Sequence, residues 1–188
     1  PLFGVVSRLV WEKGIDILLD AMDYFVEKDA QLVVLGTGEP EFESALATWA
    51  ELYPDNIRIF SEYNEALAHQ IYAGADFTLM PSRIEPCGLS QMYSLAYGTV
   101  PLVRETGGLA DSVRDLTSQF DADEDATGIL FRPTTGKALT NALTRALSLY
   151  AIPRKMHQMR LAGMRQDLSW DRSSREYVEL FRRAMGVA

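Results

Sequence analysis

The chain has 188 residues, 47% of them hydrophobic, enough for one globular domain with a sizeable core or for one large half of a two-domain enzyme. With 18 Lys plus Arg against 26 Asp plus Glu, the net charge is −8, which argues against a nucleic acid or an anionic membrane as partner. A single cysteine, Cys87, rules out an intrachain disulfide and suits a reducing compartment, and no apolar run has the length of a membrane span.

The sequence opens at Pro1 without an initiator methionine and runs straight into an apolar segment, Leu2–Val6, so a piece cut from a longer protein is expected and a missing leader carries no information. That unbroken run predicts a strand covered on both faces. The loop after it carries two cations, Arg8 and Lys13, at the mouth of a helix predicted over 14–27 with Ile15, Leu18, Leu19, Met22 and Phe25 on its buried stripe. An arginine fork and a lysine point charge suit a diphosphate clamp; two solvated surface cations are the alternative.

A second strand is predicted at Gln31–Leu35. Gly36-Thr37-Gly38 then turns into a helix whose first-turn proline is Pro40 and whose packing residues are Phe42, Leu46, Trp49 and Ala50. A third strand spans 56–60. Tyr63 lies in the loop beyond, placed either to stack on a nucleotide base or only to cover a loop, and Ser61 or Asn64 caps the helix that runs to about Gly74.

The centre of the chain is the stretch 76–111. Phe77–Met80 reads as a short strand stopped by Pro81, and Pro86 forces Glu85 into an extended conformation, so its carboxylate is expected to be held out from the loop. Gly88 allows a tight turn into a helix over 89–97, with Leu89, Met92, Leu95 and Ala96 at apolar spacing and Gly98 as terminator. The amides of Leu89 and Ser90, at the positive end of that helix, form a natural anion seat. The pattern repeats: a strand at 100–103, then Thr106-Gly107-Gly108 leading into a helix near Leu109. Glycine at these junctions either lets the backbone approach a ligand or serves only the turn.

The segment 116–127 is acidic and reads as a surface loop, and 128–131 as a sixth strand. From about 135 to the end the pattern is helical, broken at Pro153 and at the turn before Trp170; Tyr177, Leu180 and Phe181 on the last helix read as core or cover. Six strands alternating with helices predict an α/β, doubly wound, mainly parallel Rossmann-like sheet with C-terminal helices. A GxGxxG fingerprint, a Walker loop and a metal-ligand cluster are all missing, which argues against a nicotinamide cofactor, and neither His69 nor His157 falls on a predicted site loop.

Taken together, Ser7-Arg8-Leu9 with Lys13-Gly14, Gly36-Thr37-Gly38, Tyr63, Pro81-Ser82-Arg83 with Glu85-Pro86-Cys87-Gly88-Leu89, Thr106-Gly107-Gly108-Leu109-Ala110-Asp111 and Ser169-Trp170 resemble the C-terminal domain of bacterial glycogen synthases and plant starch synthases. These are retaining glucosyltransferases of the GT-B type, built from two Rossmann-like halves. The resemblance covers essentially the whole chain, and implies that residues 1–188 are one nucleotide-sugar-binding domain with a helical tail at about 135–188. It implies ADP or ADP-glucose as donor, no metal or other cofactor, and an α-1,4-glucan acceptor bound through an N-terminal domain that this sequence does not contain.

The same resemblance implies that Arg8 and Lys13 meet the diphosphate and its developing charge, that Glu85 faces the donor glucose, and that Tyr63 stacks on adenine. Gly36, Gly38, Cys87, Gly88, Leu89, Ser90, Thr106, Gly107 and Gly108 would line the nucleotide-sugar pocket, with Cys87 packing the loop and not acting as a nucleophile. Related transferases carry a second glutamate eight positions after the first; here Tyr93 stands there, which fits the synthase subfamily and leaves the ribose without an assigned partner. A UDP-sugar transferase and a non-catalytic nucleotide-binding module are the other readings. The location implied is cytoplasmic for a bacterial source and plastidic for a plant one. In the family the last helix returns to the N-terminal domain, which would leave the face around Tyr177, Leu180 and Phe181 bare in a fragment.

Overall fold

The computed structural model describes residues 1–116 and 125–186. Its sheet has six strands: β1 (Leu2–Val6), β2 (Gln31–Leu35), β3 (Ile57–Phe60), β4 (Phe77–Met80), β5 (Val100–Arg104) and β6 (Ile129–Phe131). Their order is β3-β2-β1-β4-β5-β6, and every pairing is parallel. The chain therefore winds outward to one edge, crosses back beside β1, and winds out again. The reversal between β1 and β4 opens a crevice at their carboxyl ends, the place where ligands collect in open α/β sheets.

The helices are α1 (Ile15–Leu19), α2 (Met22–Glu27), α3 (Pro40–Leu52), α4 (Glu65–Gly74), α5 (Ser90–Tyr97), α6 (Gly107–Ser112), α7 (Gly136–Tyr150), α8 (Pro153–Met164) and α9 (Trp170–Ala184). α1 packs between α3 and α7, and α5 between α4 and α8, giving the two layers that cover the sheet. At the centre of the core Phe3 and Phe77, neighbours across β1 and β4, stack at 5.1 Å, with Phe25 edge-on to Phe3 at 5.5 Å. The mostly apolar strands need this double cover, because both faces of a parallel sheet are hidden from water.

Four expectations change. The helix expected over 14–27 is two helices, because the Ala21 amide bonds the Leu18 carbonyl three residues back and closes a tight turn between α1 and α2. In α5 the buried face is Gln91, Ser94 and Leu95, while Leu89 and Ala96 are exposed. Gln91 is hidden with its Nε2 within hydrogen-bonding distance of the Cys87 carbonyl (3.0 Å), the Gly88 carbonyl (2.9 Å) and Ser112 Oγ (3.1 Å), the two N–H groups being shared among the three acceptors, while its Oε1 has no partner among the described residues. α6 begins at Gly107, two residues early. Finally, α9 buries none of its residues: Tyr177, Leu180 and Phe181 are exposed, which is not the core that their spacing suggested but the bare face that the resemblance implied. Of the acidic loop predicted at 116–127, residues 117–124 lie outside the described residues.

Candidate functional site

The crevice between β1 and β4 is walled by the two loops that leave those strands. The first carries a single 3-10 turn, Trp11–Lys13, ended by Gly14 at φ 70. A Cβ at Gly14 would stand 2.1 Å from the Pro81 carbonyl oxygen, so glycine is needed for the first loop to lie directly on the second. That contact brings Lys13 to Glu85: Nζ is 2.6 Å from Oε2, with the carboxylate only 7% exposed. Ser82 Oγ donates to the same oxygen at 3.1 Å. Glu85 is therefore not held out from its loop, as expected from Pro86 alone. A buried carboxylate needs a partner, and Lys13 supplies it.

Beside this pair lies the N-terminus of α5. Gly88, at φ 76, makes the turn, and the Leu89 and Ser90 amides donate to no carbonyl among the described residues. Ser90 Oγ accepts from the Tyr72 hydroxyl at 2.9 Å. Burial pushes the Tyr72 phenol pKa above its ordinary value, the Ser90 hydrogen bond opposes that shift, and Tyr93 adds a small push upward. Together Val6, Ser7, Lys13, Glu85, Gly88, Leu89 and Ser90, with residues 79–82, line a cavity of about 280 Å³. An ammonium, a carboxylate and a helix N-terminus thus converge on one largely apolar hollow at the switch point.

The other predicted site residues do not line this hollow. Arg8 is exposed and forms no ion pair among the described residues, and Tyr63 is 89% exposed in the loop after β3. Gly36 and Gly38 pack on the first loop: Cβ atoms there would fall 1.8 Å from the Ser7 carbonyl oxygen and 2.1 Å from that of Leu9. Gly107 and Gly108 meet the loop of Glu85 in the same way; the Gly108 amide donates to the Glu85 carbonyl at 3.0 Å, and a Cβ would lie 2.0 Å from the Cys87 carbonyl oxygen. The approach that demands glycine is to a neighbouring loop, so these positions knit the carboxyl edge together. Thr106 caps α6 by position, with no side-chain hydrogen bond to it. Cys87 packs through its backbone, while its side chain is exposed.

Several contributors had no role assigned from sequence. Ser82 and Tyr72 carry no chemical signature until folding brings them to Glu85 and Ser90. Arg83 lies inside a recognisable motif, yet its partner, Asp16, is 67 positions away. Arg104, at the end of β5, donates to the Ser82 carbonyl at 2.6 Å and the Arg83 carbonyl at 2.5 Å. Burial and then the neighbouring Arg83 charge lower its pKa. A wider groove of about 1050 Å³ runs from Cys87 and Gly108 to α8 and α9, with Arg114, Arg165 and Arg172 interspersed among acids; it lacks a converging set like that beside Lys13. No group of three His, Cys, Asp or Glu side chains suited to a metal occurs among the described residues, and none of their helices is long and apolar enough to cross a membrane.

The chain is similar to known proteins over nearly its whole length. The chain is 50% identical over 183 residues to the glycogen synthase of Thioalkalivibrio sulfidiphilus, and 46% identical over 181 residues to that of Haemophilus influenzae. Those alignments take in 97% and 96% of this chain but 38% of each relative, so the chain spans well under half their length. Among solved structures, the catalytic domain of starch synthase IV from Arabidopsis thaliana, bound to ADP and acarbose, superposes with a TM-score of 0.87 at 34% identity over 99% of this chain and 38% of that one. The sucrose-phosphate synthase of Thermosynechococcus elongatus shares the fold, with a TM-score of 0.73 at 23% identity over 99% of this chain and 46% of that one. The family "Glycosyl transferases group 1" matches residues 1–163, the whole sheet and the site loops with it, and the chain belongs to that family.

Proposed function

We propose that residues 1–188 are the donor-binding half of a glycogen or starch synthase, which moves glucose from ADP-glucose to the non-reducing end of an α-1,4-glucan. The observation that carries this reading is the hollow at the β1/β4 switch point, where Lys13, Glu85 and the α5 N-terminus converge. The glycogen synthases at about half identity and the ADP-bound starch synthase support the choice of nucleotide and sugar.

In this reading the distal phosphate sits on the Leu89 and Ser90 amides, Lys13 and Arg8 meet its charge, and adenine stacks on Tyr63. Gly36, Gly38, Cys87, Gly88, Thr106, Gly107 and Gly108 hold the loops that shape the seat. Transfer breaks the bond from the anomeric carbon to the phosphate oxygen, the electron pair staying on the phosphate, while the acceptor hydroxyl oxygen bonds to the anomeric carbon and its proton passes to the departing phosphate. Cationic groups fixed beside that oxygen gain most in the transition state, when its charge is largest. They take the part that a metal ion plays in other transferases, so no metal is needed. Glu85, buried and paired with Lys13, sets the electrostatics under the sugar.

The acceptor glucan is held by the segment beyond this chain, whose relatives are more than twice as long. Without that wall the site is open to water and the acceptor is not positioned. The test is incubation of the full-length protein and of residues 1–188 with radiolabelled ADP-glucose and glycogen. Incorporation by the full-length protein alone is expected. Incorporation at a comparable rate by residues 1–188 overturns the half-site account, and none by either overturns the assignment.

A further inference from the structure

We infer that Arg83 is a positioning residue, which holds Lys13 in register with Glu85 and, on the functional reading above, with the donor phosphate. Arg83 does not line the hollow itself. Instead it grips the turn that carries Lys13 from both sides. Its guanidinium makes a two-pronged ion pair with Asp16, at 2.5 and 2.6 Å, three residues after Lys13. The same group lies over the Trp11 ring at 4.5 Å and donates to the Trp11 carbonyl at 3.2 Å, two residues before it. The Arg83 amide donates to the Glu12 carbonyl at 2.8 Å.

Arg83 is in turn fixed from behind, since its own carbonyl and that of Ser82 accept from Arg104. A chain of contacts therefore runs from β5 through the Ser82–Arg83 backbone to the loop after β1, and Lys13 is the one residue of that turn whose charged end enters the hollow. A lysine has a flexible stem and no fork of its own, so its location depends on the backbone that bears it. Planarity matters in the clamp: only a guanidinium can pair with both Asp16 oxygens while stacking on the indole.

The experiment uses the full-length protein with Arg83→Gln, Arg83→Lys and, because Asp16 is more exposed than Arg83, Asp16→Asn, each alone and combined with Lys13→Ala. Loss of the clamp should lower kcat by about tenfold or more while the donor KM moves by less than about threefold. In the Lys13→Ala background the same changes should cost less than about twofold, because they act through the missing ammonium. Arg83→Lys keeps the charge and should not restore kcat. Equal losses with and without Lys13, or a loss wholly in KM, overturn the proposal.

A second readout does not need turnover. Acetic anhydride labelling, followed by mass spectrometry, should modify Lys13 at least about fivefold faster in the Arg83 and Asp16 variants than in wild type, since its pairing is loosened. An unchanged Lys13 rate overturns the positioning role. A wild-type protein that transfers no glucose overturns the reading of the site instead, and the labelling rate still decides the part played by Arg83.

Discussion

Lys13 Nζ and Glu85 Oε2 stand 2.6 Å apart across the crevice, joining the loop after β1 to the loop after β4. The two groups were read separately from sequence, one toward phosphate and one toward sugar, and the fold makes them partners. With side chains 19% and 7% exposed, each is the counter-charge that permits the burial of the other. Removing one partner of such a pair costs roughly 3–5 kcal/mol, because the survivor is left buried and unpaired. Glu85→Ala and Lys13→Ala should each lower stability in that range in urea unfolding, and the double variant should lose clearly less than the sum of the two. Additive losses would show the pair to be independent.

For catalysis, Lys13→Ala and Arg8→Ala should reduce turnover more than donor affinity. On the proposed function each cation meets charge that grows as the glycosidic bond breaks, so loss of one should raise the barrier by roughly 2–4 kcal/mol, or tens to hundreds of fold in kcat. Arg8 is exposed and unpaired among the described residues, so its removal should leave the unfolding midpoint unchanged, unlike that of Lys13. Steady-state kinetics on the full-length variants separates the two effects. Addition of EDTA should leave the wild-type rate as it was.

Tyr63 offers a cleaner separation of binding from folding. At 89% exposure it covers nothing, so Tyr63→Ala should be neutral for stability. Base stacking on an aromatic ring contributes about 1–3 kcal/mol, and the same substitution should weaken ADP binding by that amount. Isothermal titration of wild type and variant tests this, and equal affinities would remove Tyr63 from the site.

The alkaline limb of stability should report Tyr72. Its folded pKa is raised above 10.0, chiefly by burial, so its contribution is fully present below pH 10 and is lost as pH rises through the folded value. The unfolding midpoint should therefore fall more steeply above pH 10 in wild type than in Tyr72→Phe, which has no proton to lose. Parallel curves would contradict the assigned cause.

Much of this architecture was legible beforehand, for local reasons. The strand Leu2–Val6 is apolar throughout and Gln31–Leu35 is apolar after its first residue, and Gly98 or Pro40 mark helix ends by their own backbone geometry. What escaped was set by distant partners. Glu85 was read from its neighbour Pro86, but Lys13, 72 positions away, decides where its carboxylate lies. Gln91 sits on what periodicity makes a polar face, and it is buried with its Nε2 held by α6 and the turn at Gly88. The glycines of the edge loops announced a close approach, and only the fold reveals that the approaching atoms are carbonyls of the adjoining loops.

The most direct test of the central claim is calorimetric titration of residues 1–188 with ADP and with UDP, in wild type and Lys13→Ala. The account predicts that wild type binds ADP more tightly than UDP, without added magnesium, and that Lys13→Ala weakens ADP binding by less than it lowers kcat in the full-length protein. A folded sample that binds neither nucleotide, or binds UDP as well as or better than ADP, would contradict it.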